Sequence, residues 1–485
     1  MSQAPPLIDS ATSVADTAPK NLTGRLGTAG IVFMVIAAAA PLTVIGGNVP
    51  LAVGLGNGAG APIGFIIASL VLLVFAVGFV TMTPHVKEAG AFFAYISLGL
   101  GKRLGTGSAL VALVSYTAIQ LGVYGFFGWA ANDLITNYGG PELPWWLYAI
   151  VAIVIVAFLG YRHINLSAKV LGVALVLEIA IVVAMDAAIF IQGGADGISG
   201  ASFTPAAIGS GPIGISILFA LTGFIGFEAT AVFRDEAKNP EKTIPRATYL
   251  AVIIIGVFYA ISCWALIEAA GASNAVSIAQ QTLSGQGNMM LDTANHYIGV
   301  VLRDVMQVLL VSSLFACVLS FHNVIARYQF VLARKGLLPA ALGLVHTKNH
   351  SPARSSVVQT VTALALLVLF VVAGLDPLVG VFGSMAGVAT VGMVMLMLTT
   401  SIAVLVFFAK RPELSVGHSW RTRIAPALAV VGLLISLWLV VSNFTLVTGG
   451  SVGVSVLLGL IPVAALVVGF FVKARAAKAA DLENA

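Results

Sequence analysis

One stretch of the chain, residues 221–231, places two glycines and a carboxylate inside an apolar run, in the order LTGFIGFEATA. Glycine loosens a helix because it has no side chain to restrict the backbone. A helix that stops leaves about four N–H groups and four C=O groups without partners. Freed N–H groups at a helix end attract a carboxylate, and freed C=O groups attract an ammonium. The stretch can therefore hold both ends of a zwitterion without a charged side chain.

A second interruption of this kind lies near the start of the chain. The stretch AAAAPLTVIGGNVP, residues 37–50, puts proline and glycine into the first apolar run, five runs before the other stretch. Since successive membrane helices alternate in direction, the two run opposite ways. A matched pair of interrupted helices indicates an inverted repeat with a solute site at the membrane midplane. The alternative is two ordinary membrane helices, in which Gly and Pro are common.

Two carboxylates occupy the fifth apolar run, 164–192. Glu178 follows Lys169 by nine residues, about 13 Å along a helix, which places it near mid-bilayer. Burial disfavours the charged form of a carboxyl group, so a proton can bind and leave near neutral pH. We hypothesise that Glu178 couples transport to protons; the alternative is a structural glutamic acid bonded to a neighbouring helix. Asp186 lies nearer the outer side, as a vestibule group or a structural one.

A polar and aromatic stripe runs along the third apolar run. Tyr116, Gln120 and Tyr124 are four residues apart, so they share one face of a helix. Such a stripe faces a cavity or another helix rather than lipid. Gln120 is the best candidate of the three for substrate contact, and the alternative is hydrogen bonding between helices.

The composition excludes a soluble protein. Of the 485 residues 59% are hydrophobic and 9% charged, whereas soluble domains carry about 25% charged residues. A nucleic-acid partner is not expected, because no basic soluble domain is present. Cys263 and Cys317 have no metal or disulfide spacing and are expected to be small buried hydrophobes. No ATP-binding motif occurs, so we expect no cofactor and no metal.

The apolar runs predict an all-α membrane protein with twelve transmembrane helices, each of about 20 or more apolar residues. They are expected at roughly 27–55, 59–84, 104–135, 143–161, 164–192, 208–234, 244–269, 298–334, 354–374, 377–409, 423–444 and 452–473. With an inside N-terminus, Arg303 is the one cation among 24 Lys and Arg that falls outside. By the positive-inside rule both termini are cytoplasmic.

Four regions follow from this layout. Residues 1–24 form a polar cytoplasmic tail, and 25–410 form a transport core with inverted repeats at about 25–192 and 208–410. Residues 411–475 add two transmembrane helices, and 476–485 form a second cytoplasmic tail.

Three motifs resemble one family. FIGFEATAVFRDEAKNPEKTIPRA (224–247) is similar to the sixth-helix motif of the amino acid–polyamine–organocation superfamily. EAGAFFAYISLGLG (88–101) resembles its link between helices 2 and 3, and RYQFVLARKGLLP (327–339) resembles the end of its helix 8. The resemblance implies a 5+5 inverted repeat with broken helices 1 and 6, two extra C-terminal helices, and transport of amino acids or amines.

The resemblance also implies site residues. It places the first break near 41–47, where APLT replaces the usual Gly-x-Gly pattern, and the second near 222–226. Glu178 stands in a region where many relatives carry a lysine. The expected main-chain contacts with substrate are Leu42, Thr43, Val44, Thr222, Gly223 and Ile225.

Gating residues are expected near the second break. Phe224 occupies the place of a gating aromatic and is assigned to the substrate site as well, and Phe321 on helix 8 faces the same cavity. Glu228 lies in the first turn of the second half-helix, where an acid is favoured, and accepts hydrogen bonds from helix 1. The alternative for each is a packing or capping role. Asp235 and Glu236 are expected to pair with cations such as Arg103 or Lys335 when the inner side closes.

The sequence therefore predicts a secondary active transporter that moves amino acids across the cytoplasmic membrane by alternating access, as a proton symporter. An amino-acid/polyamine exchanger or a carrier of cationic solutes is one alternative, and sodium is an alternative coupling ion. A non-transporting membrane sensor is another, although no sizeable soluble domain is present. An enzyme is not expected, because no paired catalytic groups stand at helical spacing.

Overall fold

A computed structural model of the chain describes residues 27–86, 91–162, 168–228, 230, 237–346 and 351–472. Within these ranges, ten helices are long and apolar enough to cross a membrane. Two shorter apolar helices, Trp145–Tyr161 and Ile213–Thr222, bring the number to the twelve predicted. The two predicted tails, 1–24 and 476–485, lie outside the described residues.

We number the membrane helices as spans 1 to 12 in chain order. Span 1 is built from four consecutive pieces, Thr28–Ala39, Pro41–Thr43, a π-helical turn Val44–Asn48 and Val49–Gly54. Span 10 begins with a π-helical turn, Pro377–Gly383, and span 11 with another, Trp420–Ile424. The remaining bounds are Ala61–Met82 (span 2), Lys102–Asn137 (3), Trp145–Tyr161 (4), Ala168–Gln192 (5), Ile213–Thr222 (6), Pro240–Ala270 (7), Val300–Arg334 (8), Ala353–Val372 (9), Ser384–Ala409 (10), Ala425–Ser442 (11) and Val452–Phe471 (12).

The helices form because an apolar segment in a bilayer must satisfy its backbone polar groups internally. Short helices connect them: Ala91–Leu100 joins spans 2 and 3, while Ala275–Leu283 and Met289–Ile298 join spans 7 and 8. The first link follows two crossings and the second follows seven, so they lie on opposite sides of the membrane. That placement agrees with an inverted repeat.

Spans 3 and 8 occupy equivalent places in the two halves and have nearly equal lengths, 36 and 35 residues. They pack against each other, and span 3 also contacts spans 4, 10 and 12. Span 6 packs against spans 2, 10 and 11 and against the end of span 1. Spans 1 and 6 are joined where Ser216 Oγ donates to the Ala52 carbonyl at 3.0 Å. The two interrupted helices therefore lie side by side, with spans 3 and 8 next to them.

Candidate functional site

The break in span 1 is located at Ala40. This residue has φ 47° and ψ 74°, a left-handed conformation that is rare outside glycine. Pro41 explains it, because a proline disfavours the helical conformation of the preceding residue and offers no N–H of its own. The break therefore begins one residue before the predicted 41–47.

Gly46 and Gly47, which had suggested the break, serve a different purpose. Both lie in the π-helical turn Val44–Asn48. A Cβ on Gly47 would lie 2.6 Å from the Phe126 ring and 2.9 Å from the Phe382 ring. This glycine is therefore required for close packing against spans 3 and 10.

The break in span 6 falls where it was predicted. The helix ends at Thr222, and residues 223–228 form turns. Gly226 has φ 110°, a conformation open to glycine and strained for other residues. The following stretch 231–236, including Arg234, Asp235 and Glu236, lies outside the described residues, so the expected inner-gate ion pairs remain a prediction.

The two glycines of span 6 contact the two sides of the break in span 1. A Cβ on Gly223 would lie 3.2 Å from the Val44 methyl groups and 3.1 Å from the Tyr259 ring. A Cβ on Gly226 would lie 3.4 Å from that of Ala38. The absence of side chains at both positions thus lets the two broken helices touch.

A small cavity of about 30 Å³ opens at this contact, with room for about two water molecules in this conformation. None of its lining side chains is charged. The lining residues come from spans 1, 3, 6, 8 and 10: Ala38, Ala39, Ala40, Thr43, Val44, Asn48, Ile119, Val123, Thr222, Ile225, Cys317, Phe321 and Phe382.

Five of the predicted site residues line the cavity: Thr43, Val44, Thr222, Ile225 and Phe321. The Thr43 side chain is 6% exposed, and its hydroxyl has no hydrogen-bond partner among the described residues. The Thr222 hydroxyl is already occupied, since it donates to the Leu218 carbonyl and lies 2.6 Å from Thr390 Oγ1. Thr43 is therefore the side chain in the lining that is most in need of a polar ligand.

Four other predicted contacts lie outside the lining: Leu42, Gly223, Phe224 and Gln120. Phe224 is 2% exposed and packs edge-on against Tyr259 of span 7, with ring centroids 6.2 Å apart. Its side chain packs on span 7 and not into the cavity, and its assigned roles in substrate contact and gating remain predictions. The rings that do border the cavity are Phe321 and Phe382.

Gln120 joins helices instead of facing the cavity. Its amide donates to the Val318 carbonyl of span 8 at 3.1 Å and accepts from Gln359 Nε2 of span 9 at 2.7 Å. Gln329 Nε2 of span 8 donates to Gln359 Oε1 at 3.2 Å. The alternative given for the stripe, hydrogen bonding between helices, is the arrangement observed for Gln120.

Glu178 lies directly behind the break in span 1. The side chain is 4% exposed, and its carboxylate lies close to the Leu42 backbone N–H. Ser313 Oγ of span 8 donates to Glu178 Oε2 at 3.0 Å. An N–H group freed by the break thus lies beside a carboxylate of span 5 that is hydrogen-bonded to span 8.

At the other break, the Glu228 carboxylate also contacts backbone freed by the break, but its hydrogen-bond donors differ from those expected. Its Oε2 accepts from the Gly226 N–H at 3.0 Å, and its Oε1 accepts from the Tyr116 hydroxyl at 2.5 Å. The expected donors were N–H groups of span 1. Gly226 takes that place because its positive φ turns its N–H back toward the Glu228 side chain two residues later.

Several lining residues were not predicted. Asn48, whose Nδ2 donates to the Phe219 carbonyl at 2.8 Å, is a polar side chain in an apolar run and could have been found by that signal. Cys317 was expected to be a plain buried hydrophobe, yet it borders the cavity four residues before Phe321, on the same helix face. Ile119, Val123 and Phe382 carry no signal in the sequence. Among the described residues, no group of three or more His, Cys, Asp or Glu could hold a metal ion.

Comparison with known proteins gives a family and several relatives. Residues 26–471 match the family described as amino acid permease. The branched-chain amino acid permease BcaP of Bacillus subtilis is 24% identical over 88% of this chain and 90% of its own. The serine/threonine exchanger SteT of Bacillus subtilis is 22% identical over 59% and 63%. The low-affinity putrescine importer PlaP of Escherichia coli K12 is 23% identical over 64% and 66%.

Proposed function

The chain belongs to the amino acid permease family of the amino acid–polyamine–organocation superfamily, and from that premise we propose that it transports neutral amino acids across the cytoplasmic membrane by proton symport. The cavity between the broken spans 1 and 6 is the proposed binding site. Access would alternate as these two spans tilt against spans 3 and 8.

The observation that carries the proposal is a cavity at two helix breaks with no charged side chain in its lining. A zwitterion can be held there by backbone groups alone, because helix ends provide both donors and acceptors. The unpartnered Thr43 hydroxyl supplies one further polar contact. An uncharged site with these groups suits an α-amino acid whose side chain is neutral.

The lining also separates this substrate class from polyamines. A dication requires carboxylates at the binding site, because an unpaired charge in an apolar cavity is costly. Glu178 and Glu228 do not line the cavity, and both are bonded to protein donors. The apolar wall of Ile119, Val123 and Phe321 favours an aliphatic side chain, as the name of the relative BcaP suggests for that protein.

Proton coupling is assigned to Glu178 because its buried carboxylate lies close to the Leu42 N–H beside the cavity and is bonded to Ser313 of span 8. An ionised carboxylate accepts hydrogen bonds more strongly than a neutral one. Protonation would therefore loosen the Leu42 contact and alter the conformation of residues 40–44, which border the cavity. Sodium in place of the proton, and exchange in place of symport, are the alternatives.

The test is uptake by the purified protein in liposomes, in sodium-free buffer, with and without an inward proton gradient. Leucine, valine, serine, arginine and putrescine form the panel. We expect gradient-dependent uptake of leucine and valine and little uptake of putrescine. Putrescine or arginine uptake above that of leucine would refute the neutral-substrate proposal, and no uptake of any member would refute transport of this substrate class.

The orientation is part of the proposal. The distribution of Lys and Arg supports cytoplasmic termini, with residues 25–410 as the transport core and 411–475 as additional helices. Cysteines introduced singly at exposed Glu142 and Glu413 check this, by labelling of intact cells with an impermeant maleimide. Labelling at position 142 and protection at position 413 are expected.

A further inference from the structure

Span 5 carries a second buried carboxylate besides Glu178, namely Asp186, which lies outside the cavity. Its side chain is 6% exposed, and Oδ2 accepts a hydrogen bond from Ser262 Oγ of span 7 at 2.6 Å. Oδ1 is shielded from solvent and has no partner among the described residues. The substrate site does not use this group.

The unpartnered oxygen distinguishes Asp186 from structural carboxylates elsewhere among the described residues. Asp376, for example, accepts from the N–H groups of Leu378, Val379 and Gly380 and so uses both oxygens. A buried carboxylate with one empty oxygen is costly when charged and much less so when protonated. Protonation of Asp186 therefore costs less in this environment than protonation of a carboxylate whose two oxygens are both hydrogen-bonded.

The groups that face Asp186 do not fix its charge. From span 7 it meets Ser262, and Glu268, six residues further along that span, is bonded to Ser199 and Trp264. The outer helix that packs on span 5 carries Asp292, His296 and Tyr297, and span 8 begins with Arg303 and Asp304, which pair with each other at 3.0 Å. Beyond burial, Ser262 is the group among the described residues that acts on Asp186.

Asp186 lies between the end of span 5 and Glu178. It precedes the last residue, Gln192, by six positions, about 9 Å of helix, and follows Glu178 by eight, about 12 Å. On the facing span 7, Tyr259 is one turn from Ser262. The Tyr259 hydroxyl lies near the Glu178 carboxylate and donates to the Ala39 carbonyl at 3.1 Å. Hydroxyl groups thus follow the interface of spans 5 and 7 from one carboxylate to the other.

We propose that Asp186 receives protons from the outer side and passes them to Glu178 along the interface of spans 5 and 7. External water gives a proton to the Asp186 carboxylate. Water that bridges the Ser262 and Tyr259 hydroxyls then carries that proton to the Glu178 carboxylate, and Asp186 returns to its charged form. One proton moves inward and no other bond changes. This inference rests on the proposed proton symport.

Two transport modes test the relay in liposomes: uptake of leucine driven by a proton gradient, and exchange of leucine for internal leucine at equal pH. For Asp186→Asn we expect gradient-driven uptake to fall at least about tenfold, as on loss of a proton-transfer group, with exchange unchanged. Ser262→Ala keeps the carboxyl group, and we expect it to shift the pH dependence of uptake with exchange unchanged. Asp186→Glu should restore part of the driven uptake, and Glu142→Gln, an exposed outer carboxylate, is the matched control.

Wild-type gradient-driven uptake in Asp186→Asn would overturn the relay. So would loss of both modes in Asp186→Asn together with wild-type behaviour of Ser262→Ala, because Asp186 would then be structural. The wild-type protein separates this inference from the function it rests on. If leucine uptake by the wild-type protein does not depend on the proton gradient, the proposed symport is wrong. If wild-type uptake does depend on the gradient and only the Asp186 and Ser262 variants differ from expectation, the proposed relay alone is wrong.

Discussion

The two helix breaks that border the cavity are stabilised in different ways. At the first, a non-glycine residue, Ala40, is held in a left-handed conformation, and distant helices contact the freed backbone through Glu178 and Tyr259. At the second, Gly226 adopts its positive φ without strain and is capped by Glu228, two residues later. The first break thus depends on the state of other helices, whereas the second is largely formed by its own sequence. A proton that acts on transport is therefore expected to act at the first.

The largest effect should come from removing the ionisable group at the first break. For Glu178→Gln we expect gradient-driven uptake to fall about 100-fold, within the range for loss of a proton-transfer group. Exchange should persist, because glutamine still places an amide oxygen near the Leu42 N–H. The measurement is leucine uptake across a range of external pH. Intact gradient-driven uptake in this variant would exclude Glu178 as the coupling group.

The second break should be damaged by a change in its own sequence. In Gly226→Ala the side chain is placed at φ 110°, which costs about 1–3 kcal/mol of strain. The added Cβ has ordinary space beside Ala38, so the loss should arise from the backbone. We expect a lower melting temperature in detergent and reduced transport, with an unchanged pH profile. A shifted pH profile would show that this break also responds to the proton.

The Tyr116 hydroxyl offers a smaller test of the second break. Tyr116→Phe removes a hydrogen bond to the Glu228 carboxylate, for a loss of about 1–3 kcal/mol. Glu228 keeps the Gly226 N–H, so the break should survive with moderately reduced stability and transport. Thermal unfolding and leucine uptake measure the two effects. Complete loss of transport with unchanged stability would instead give Tyr116 a direct role in the cycle.

The smallest expected change is a gain at the first break. Ala40→Gly relieves the left-handed strain of about 1–2 kcal/mol but adds freedom to the unfolded chain, so the net effect on melting temperature should be slightly positive. Transport should continue, and the further substitution Glu178→Gln should reduce gradient-driven uptake less in this variant than in the wild-type protein. A marked loss of stability would mean that the Ala40 methyl group, and not its backbone, matters at the cavity.

The sequence predicts the spans well because each apolar run of sufficient length has one stable conformation in a bilayer. It also places both breaks within a residue or two, since Pro41 and Gly226 impose their own backbone geometry. Thr43 and Ile225 follow from those breaks. The features determined by the local sequence, namely the spans and the positions of the two breaks, were therefore predictable.

Contacts between distant spans were harder to predict. Gln120 is a polar residue of the kind that binds substrates, but its helix is rotated so that its side chain is hydrogen-bonded to Gln359, 239 positions later. Phe224 likewise packs against Tyr259, and the Leu42 N–H lies near Glu178, outside the cavity lining. Helix rotation is determined by packing of whole spans, which no single motif reveals.

The amides of Gln329, Gln359 and Gln120 form a chain that donates in one direction and ends on the Val318 carbonyl, so it leaves span 8 and returns to span 8. Aligned dipoles of this kind reinforce one another in a low-dielectric interior. These hydrogen bonds connect spans 3, 8 and 9, so we expect the three spans to resist rotation relative to one another. If spans 1 and 6 tilt during transport as proposed, these three buried amides would hold together the spans against which they move.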